Sequence, residues 1–146
     1  MIRIADKYDL PYLLEMSEQM HGSTAYHNIP FVPAMAEAFL EYIIDGEDYV
    51  ALIADRDAVP VGAILGCVGN YPFNPALRIC DIAFYVKPEA RGGTTAVKLL
   101  TAYEKEAKNR GCLESYMGVS TGHPTAGALY EKLGYNLVGS LYKKEL

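Results

Sequence analysis

A chain of 146 residues with 51% hydrophobic and 21% charged residues has the size and composition of one globular domain, read here as residues 1–146. Its 13 Lys and Arg against 18 Asp and Glu give a net charge of −5 with no basic block, so nucleic acid, which demands a basic face, is not an expected partner. No run nears the roughly 18 consecutive apolar residues of a membrane span.

The start, Met1-Ile2-Arg3-Ile4-Ala5-Asp6-Lys7, lacks a secretory pattern, and no membrane association is expected. Cys67, Cys80 and Cys112 sit among apolar neighbours without CxxC spacing, which fits buried thiols in a reducing cytoplasm. His21, His27 and His123 supply no short-spaced ligand cluster, so no metal site is expected.

In chain order, Ile2–Ala5 reads as a short strand. A helix follows over Tyr8–Met20, with Leu10, Leu13 and Leu14 on one face and Pro11 early, where its missing N–H costs little. Residues 21–32 form an irregular loop, and a second helix runs over Pro33–Ile44, closed by Gly46. The period then changes. Tyr49–Ala54 and Val61–Val68 are β-branched runs around a hairpin at Asp55–Pro60. Gly69–Pro75 reads as a loop and Arg78–Val86 as a strand stopped by Pro88.

A long helix occupies Thr94–Arg110, with Gly111 as its left-handed cap, followed by a strand over Leu113–Val119. Pro124–Leu133 is a helix capped by Gly134, and Tyr135–Gly139 and Leu141–Lys144 are two more candidate strands. The expected architecture is α/β, with a mixed central sheet of six to seven strands flanked by about four helices.

The most informative stretch is Val86-Lys87-Pro88-Glu89-Ala90-Arg91-Gly92-Gly93-Thr94-Thr95-Ala96, between a strand and a long helix. Paired glycines leave backbone amides free to approach a ligand, and a helix N-terminus adds unpaired donors and partial positive charge. Together they suit phosphate oxygens, with Arg91, Thr94 and Thr95 as further contacts. A tight turn with a threonine N-cap explains the same residues equally well. Neither GxxxxGK[ST] nor GxGxxG is present.

Downstream, His123-Pro-Thr-Ala126-Gly-Ala-Leu129-Tyr130-Glu-Lys-Leu-Gly134-Tyr135 opens another helix. Taken with Arg91-Gly92-Gly93-Thr94-Thr95-Ala96, this resembles the GNAT family of N-acyltransferases. That family's loop pattern is [QR]-x-x-G-x-[GA], and its downstream pattern is N-x-x-A-x-x-[LF]-Y-x-x-x-G-[FY]. The likeness extends from Ile2 to Lys144. Thr94 stands where a glycine is usual, and His123 replaces the common Asn. RGGTTAVKLL followed by MGVSTG looks like small bacterial and phage members.

The resemblance implies acetyl-CoA as donor and direct attack of a primary amine, small-molecule or protein-borne, on the thioester. It places the pantetheine arm between Phe84-Tyr85-Val86 and Gly118-Val119, and the pyrophosphate on residues 91–96. His123 and Ala126 belong to the cofactor-facing helix. Tyr130 matches the family's tyrosine acid; read without the motif, it is a core aromatic.

Asp81, an acid in an apolar strand, is the candidate base or the partner of an ion pair with Arg78. By two-residue alternation it faces the side of Ala83 and Tyr85. The acidic base of ribosomal-protein acetyltransferases is replaced here by Gly118, which speaks against a ribosomal N-terminal substrate. His21, Ser23, Tyr26 and His27 are candidates for the acceptor pocket, or members of a surface loop with Tyr26 and Phe31 pinned to the core. A non-catalytic acyl-CoA-binding module and an enzyme for a larger acyl-CoA are the competing readings. The C-terminal strands offer a homodimer interface.

Overall fold

The computed structural model describes residues 1–120 and 123–146. Thr121 and Gly122, the end of the MGVSTG stretch, lie outside the described residues. A single five-stranded sheet runs in chain order: β1 (Ile2–Ile4), β2 (Tyr49–Arg56), β3 (Val59–Tyr71), β4 (Asn74–Val86) and β5 (Cys112–Tyr116). The first three pairings are antiparallel; β4 and β5 are parallel. The helices are α1 (Leu10–Gly22), α2 (Pro33–Asp45), α3 (Thr95–Asn109) and α4 (Pro124–Lys132). The α/β class, mixed sheet and four α-helices match expectation; among the described residues there are five strands, not six or seven.

Each sheet face buries its own apolar cluster. On one, Leu13, Met16, Leu40 and Ile43 of α1 and α2 meet Ala51, Ile53, Ala63 and Leu65. On the other, Leu99, Leu100, Tyr103 and Ala107 of α3 meet Val50, Leu52, Ile64 and Ile79, with Tyr130 of α4 joining them. The consecutive buried run in β2 and β3 follows from this: strands covered on both faces need apolar residues at every position.

Three local expectations are corrected. Gly69–Pro75 is not a loop; β3 and β4 are both 13 residues long and turn only at Pro72-Phe73. The strand expected over Leu113–Val119 ends at Tyr116. Tyr135–Gly139 and Leu141–Lys144 form no strand, because nothing pairs with them and an isolated β segment cannot satisfy its backbone in a ladder of one.

The turns follow their chemistry. Asp57 and Ala58 both take positive φ, 51° and 62°, as a two-residue hairpin between right-twisted strands requires. Gly111 and Gly134 close α3 and α4 at φ of 83° and 90°. Gly46 ends α2 differently, at φ −83°. There a Cβ would lie 2.9 Å from the Tyr42 carbonyl, so it is space rather than handedness that selects glycine.

Candidate functional site

The site grows from a fork in the sheet. β4 pairs with β5 only as far as Cys80 opposite Tyr116, yet β4 continues to Val86. Residues 81–86 therefore keep β3 on one side and have an open edge on the other. A bulge lies at the root of this fork: Leu65 pairs with Ala83 and Gly66 with Asp81, leaving Ile82 as an extra residue.

The bulge reverses the side on which Asp81 falls. Ile82, Ala83 and Tyr85 pack against the α1/α2 cluster, whereas Phe84 and Val86 face the α3/α4 cluster. Asp81 is on the α4 side, where its carboxylate accepts a hydrogen bond from the Gly118 amide at 3.1 Å. It does not share a face with Ala83 and Tyr85, as simple alternation predicts; a bulge shifts parity by one and composition does not reveal it. Arg78 is not its partner. The Arg78 guanidinium lies over the rings of Tyr71 and Tyr116, at 5.0 and 5.2 Å.

Tyr130 bridges the same fork. Its ring stacks near Phe84, with centroids 6.4 Å apart, and its hydroxyl donates to the Gly118 carbonyl at 3.1 Å. Gly118 thus takes Asp81 on its N–H and Tyr130 on its C=O. The sequence marks Gly118 as one wall of the expected cofactor wedge and for the acid it lacks, and no motif signals its role as a two-sided anchor. Burial pushes the Asp81 carboxyl above its usual range, against the opposing pull of the Gly118 amide. Burial, then the nearby Asp81 charge, holds the Tyr130 proton more tightly than in an ordinary phenol.

Beyond the fork lies the glycine loop. Gly92 takes φ of 78°, and a Cβ at Gly92 or Gly93 would meet nothing within 4 Å, so the loop backbone stands open. Thr94 occupies the N-cap of α3 with no side-chain cap bond. The tight-turn reading required that bond. Among the described residues the amides of Gly92, Gly93 and Thr94 have no hydrogen-bond partner either. With Thr95 and Ala96 opening the helix, these donors are free to receive anionic oxygens. Arg91 turns inward instead: its Nε donates to the Val86 carbonyl at 2.7 Å and its guanidinium lies 5.3 Å from the Tyr85 ring. It braces the loop against the end of β4.

The acceptor-side residues are tied mainly to their own loop. His21 Nε2 lies 2.6 Å from the Ile29 carbonyl, and His27 Nδ1 2.9 Å from that of Thr24. Ser23 Oγ donates to the Met20 carbonyl at 2.9 Å. Tyr26 is exposed, not pinned to the core, while Phe31 packs on the His21 ring at 5.4 Å. Among the described residues, one bond joins this loop to the start of α4: His123 Nε2 donates to the Ser23 carbonyl at 2.9 Å. Tyr85 reaches α1, its hydroxyl donating to Gln19 at 3.2 Å, beside a Lys87–Glu15 ion pair. Ala126 packs, partly buried, on the α3/α4 cluster.

The profile of the acetyltransferase (GNAT) family matches residues 14–135. The chain belongs to that family. A curated relative, acetyltransferase Atu2258 of Agrobacterium fabrum (strain C58 / ATCC 33970), is 46% identical over 55 residues, 37% of this chain and 39% of the relative. The chain thus aligns with about two fifths of that relative's length.

Solved structures share the fold. A transcriptional regulator from Bacillus halodurans C-125 superposes with a TM-score of 0.85 at 19% identity, covering 100% of this chain and 99% of that one. A predicted acetyltransferase with acetyl-CoA from Clostridium acetobutylicum gives 0.78 at 18% identity, covering 99% and 95%. The aminoglycoside N-acetyltransferase AAC(6')-Iy in complex with CoA gives 0.79 at 19%, covering 100% and 93%. Names this different on one fold show that the substrate must be argued from the site.

Proposed function

We infer that this protein is an acetyl-CoA-dependent N-acetyltransferase acting on a primary amine, small-molecule or protein-borne, in the cytoplasm. The observation that carries the reading is the fork, where Asp81 and Tyr130 meet the two sides of Gly118 at the open edge of β4. Family membership and relatives solved with CoA or acetyl-CoA support the donor. AAC(6')-Iy, solved also with a bisubstrate analogue of CoA and an acetylneamine, supports an amine acceptor. A cytoplasmic setting is supported by three free cysteines and by the lack of any described helix long and apolar enough to cross a membrane.

Acetyl-CoA supplies an activated acyl group on a thiol leaving group. The free amides from Gly92 to Ala96 bind its diphosphate, and the open edge over Phe84–Val86 bonds the amides of the arm. A backbone N–H near Tyr85 faces the developing oxyanion. An amine ionises near about 10, so it attacks only after losing a proton; Asp81 accepts that proton, directly or through one water. The neutral amine nitrogen then bonds the acyl carbon as the carbon–sulfur bond breaks, and its second proton passes to the departing thiolate, leaving an amide and a free thiol.

Tyr130 serves the leaving sulfur. A thiol ionises near about 8.5, well below a phenol whose proton is held more tightly than usual, so full proton transfer from Tyr130 is uphill. The hydroxyl therefore stabilises the thiolate by donating a hydrogen bond, exchanging the Gly118 carbonyl for sulfur. His21, Ser23, Tyr26 and His27 border the acceptor, and His123 couples their loop to α4.

Thiol release from acetyl-CoA over a panel of amines tests the reading. Turnover is expected with at least one amine, and Tyr130→Phe should lower kcat about 100-fold while leaving coenzyme A affinity unchanged. Tight coenzyme A binding with no turnover on any amine would turn the reading into a non-catalytic acyl-CoA module.

A further inference from the structure

β3 and β4 set two cysteines face to face. Cys67 stands directly opposite Cys80 in the antiparallel register, one row from Gly66 opposite Asp81. Residues opposed in this way share a sheet face. Cys67 is also opposite Tyr49, which packs on the α1/α2 cluster, so both thiols lie on that face. The sequence reads these cysteines as buried; both are free and only half-buried, open to a small solute. Cys112 is set apart, since it packs against the α3/α4 cluster on the other face.

Spacing allows the two sulfurs to join. Opposed residues of an antiparallel pair hold their Cα atoms about 4.5–5.5 Å apart, inside the range of about 4.4–6.8 Å that a disulfide spans. Their Cβ atoms stand about 4.5–5.5 Å apart, whereas a disulfide holds them about 3.8 Å apart, so closure draws the strands together.

The two strands do not yield equally. β3 is held by β2 along its other edge, and Gly66 rests on the buried Tyr103 ring, where a Cβ would come within 2.6 Å of Cε2. β4 is the looser strand: Cys80 is its last residue laddered to β5, and the bulge at Ile82 follows closely. The pull of a closed pair therefore falls on Asp81 and on the bond it accepts from the Gly118 amide.

We propose that Cys67 and Cys80 form a reversible disulfide under peroxide, and that its closure displaces Asp81 and lowers the activity of the fork. The effect on activity rests on the acetyl-transfer reading; the bond itself does not. Burial, then the charges of Asp48 and Cys80, pushes the Cys67 thiol up, so Cys67 keeps its proton and serves as the second sulfur. The Cys80 thiolate attacks hydrogen peroxide, giving a sulfenic acid and hydroxide. The Cys67 sulfur then displaces the sulfenic oxygen: the S–S bond forms, and the Cys67 proton leaves with that oxygen as water. Two electrons pass from the thiols to the peroxide. Two equivalents of a small thiol reverse the step, becoming a disulfide themselves as the protons return. A strained, accessible disulfide is the kind that reduces readily, and transient pairs are the usual form in the cytosol.

Peroxide titration of the full chain, with thiols counted by Ellman's reagent in denaturant, should lower the count from three to one. Trypsin cuts after Arg78, between the two cysteines, so the closed pair should appear as two peptides joined by a dithiothreitol-sensitive bond. Oxidation should also move the Gly118 amide proton resonance upfield, as its carboxylate acceptor draws away, and lower kcat/KM at least 10-fold. Dithiothreitol should restore both. Cys67→Ser should begin with the parent's activity, give no joined peptides and keep its Gly118 resonance under the same peroxide. Should that variant fold poorly, Cys80→Ser carries the same test. A count that falls through Cys112, or a pair that stays reduced in millimolar peroxide, overturns the proposal. So does a closed pair that leaves the Gly118 resonance in place. A chain that turns over no amine fails the acetyl-transfer reading alone, and the thiol count and the resonance still decide this one.

Discussion

The two halves of β4 have the same neighbour on one edge and opposite fates on the other. From Leu77 to Cys80 the strand is laddered to both β3 and β5; from Asp81 to Val86 it has β3 alone. In the first half the strand has a neighbour on both edges, and Ile79 is wholly buried. In the second half the backbone is available to a ligand, and an acid sits at the boundary. An open sheet edge is thus made by ending one ladder early, with the bulge at Ile82 deciding which side chains flank it.

The largest expected effect falls on that boundary. Replacing Asp81 with Asn keeps the shape and one acceptor for the Gly118 amide but removes the proton acceptor. It should lower kcat/KM about 1,000-fold, within the span of general-base catalysis. Burial raises the Asp81 carboxyl, so the base form appears only as pH climbs past the usual carboxylate range. In the parent, kcat/KM should therefore rise with pH across a limb shifted upward from that range. The limb should vanish in Asp81→Asn. A variant that keeps the limb would assign the base elsewhere and leave Asp81 as a brace for Gly118.

How much of this was legible depended on whether the signal was local. The helices, a hairpin within Asp55–Pro60 and the caps at Gly111 and Gly134 follow from short-range chemistry, and each occurs near its expected place, the hairpin tightening to two residues at Asp57-Ala58. The open backbone of the glycine loop and the placing of Tyr130 at the fork were legible because both stretches are contiguous. The facing of Asp81 was not, because a bulge is a property of two strands and is written in neither alone. The last two strands were misread for a related reason: Leu137, Val138, Leu141 and Tyr142 have strand chemistry, but a strand exists only where an edge receives it. The alternative that pinned Tyr26 to the core fails because an aromatic in a loop carries no sign of whether the core has room for it.

The doubly laddered half can be broken through β3. A Cβ on Gly66 would come within 2.6 Å of Cε2 of Tyr103 and closer still to its hydroxyl, and Tyr103 is fully buried on α3. Gly66→Ala should destabilise by about 3 kcal/mol, since neither the strand nor a ring packed on all sides can yield cheaply. Chemical denaturation measures it. Gly66 pairs with Asp81, so the same change should also displace the carboxylate and lower kcat, linking the scaffold half to the site half.

The smallest effect carries the opposite sign. Among the described residues the Tyr103 hydroxyl is buried with no hydrogen-bond partner, and burial drives its ionisation far up. Removing a buried hydroxyl that bonds nothing relieves a desolvation cost, so Tyr103→Phe should be stabilising by about 1 kcal/mol. In the Gly66→Ala background the gain should be larger, because the hydroxyl is the atom nearest the new methyl group. The two changes should therefore couple by about 1 kcal/mol in a double-mutant cycle. Strict additivity would mean that the strand, rather than the ring, absorbs the added carbon. In that event Asp81 moves with Gly66, and the loss of kcat should persist in the double variant.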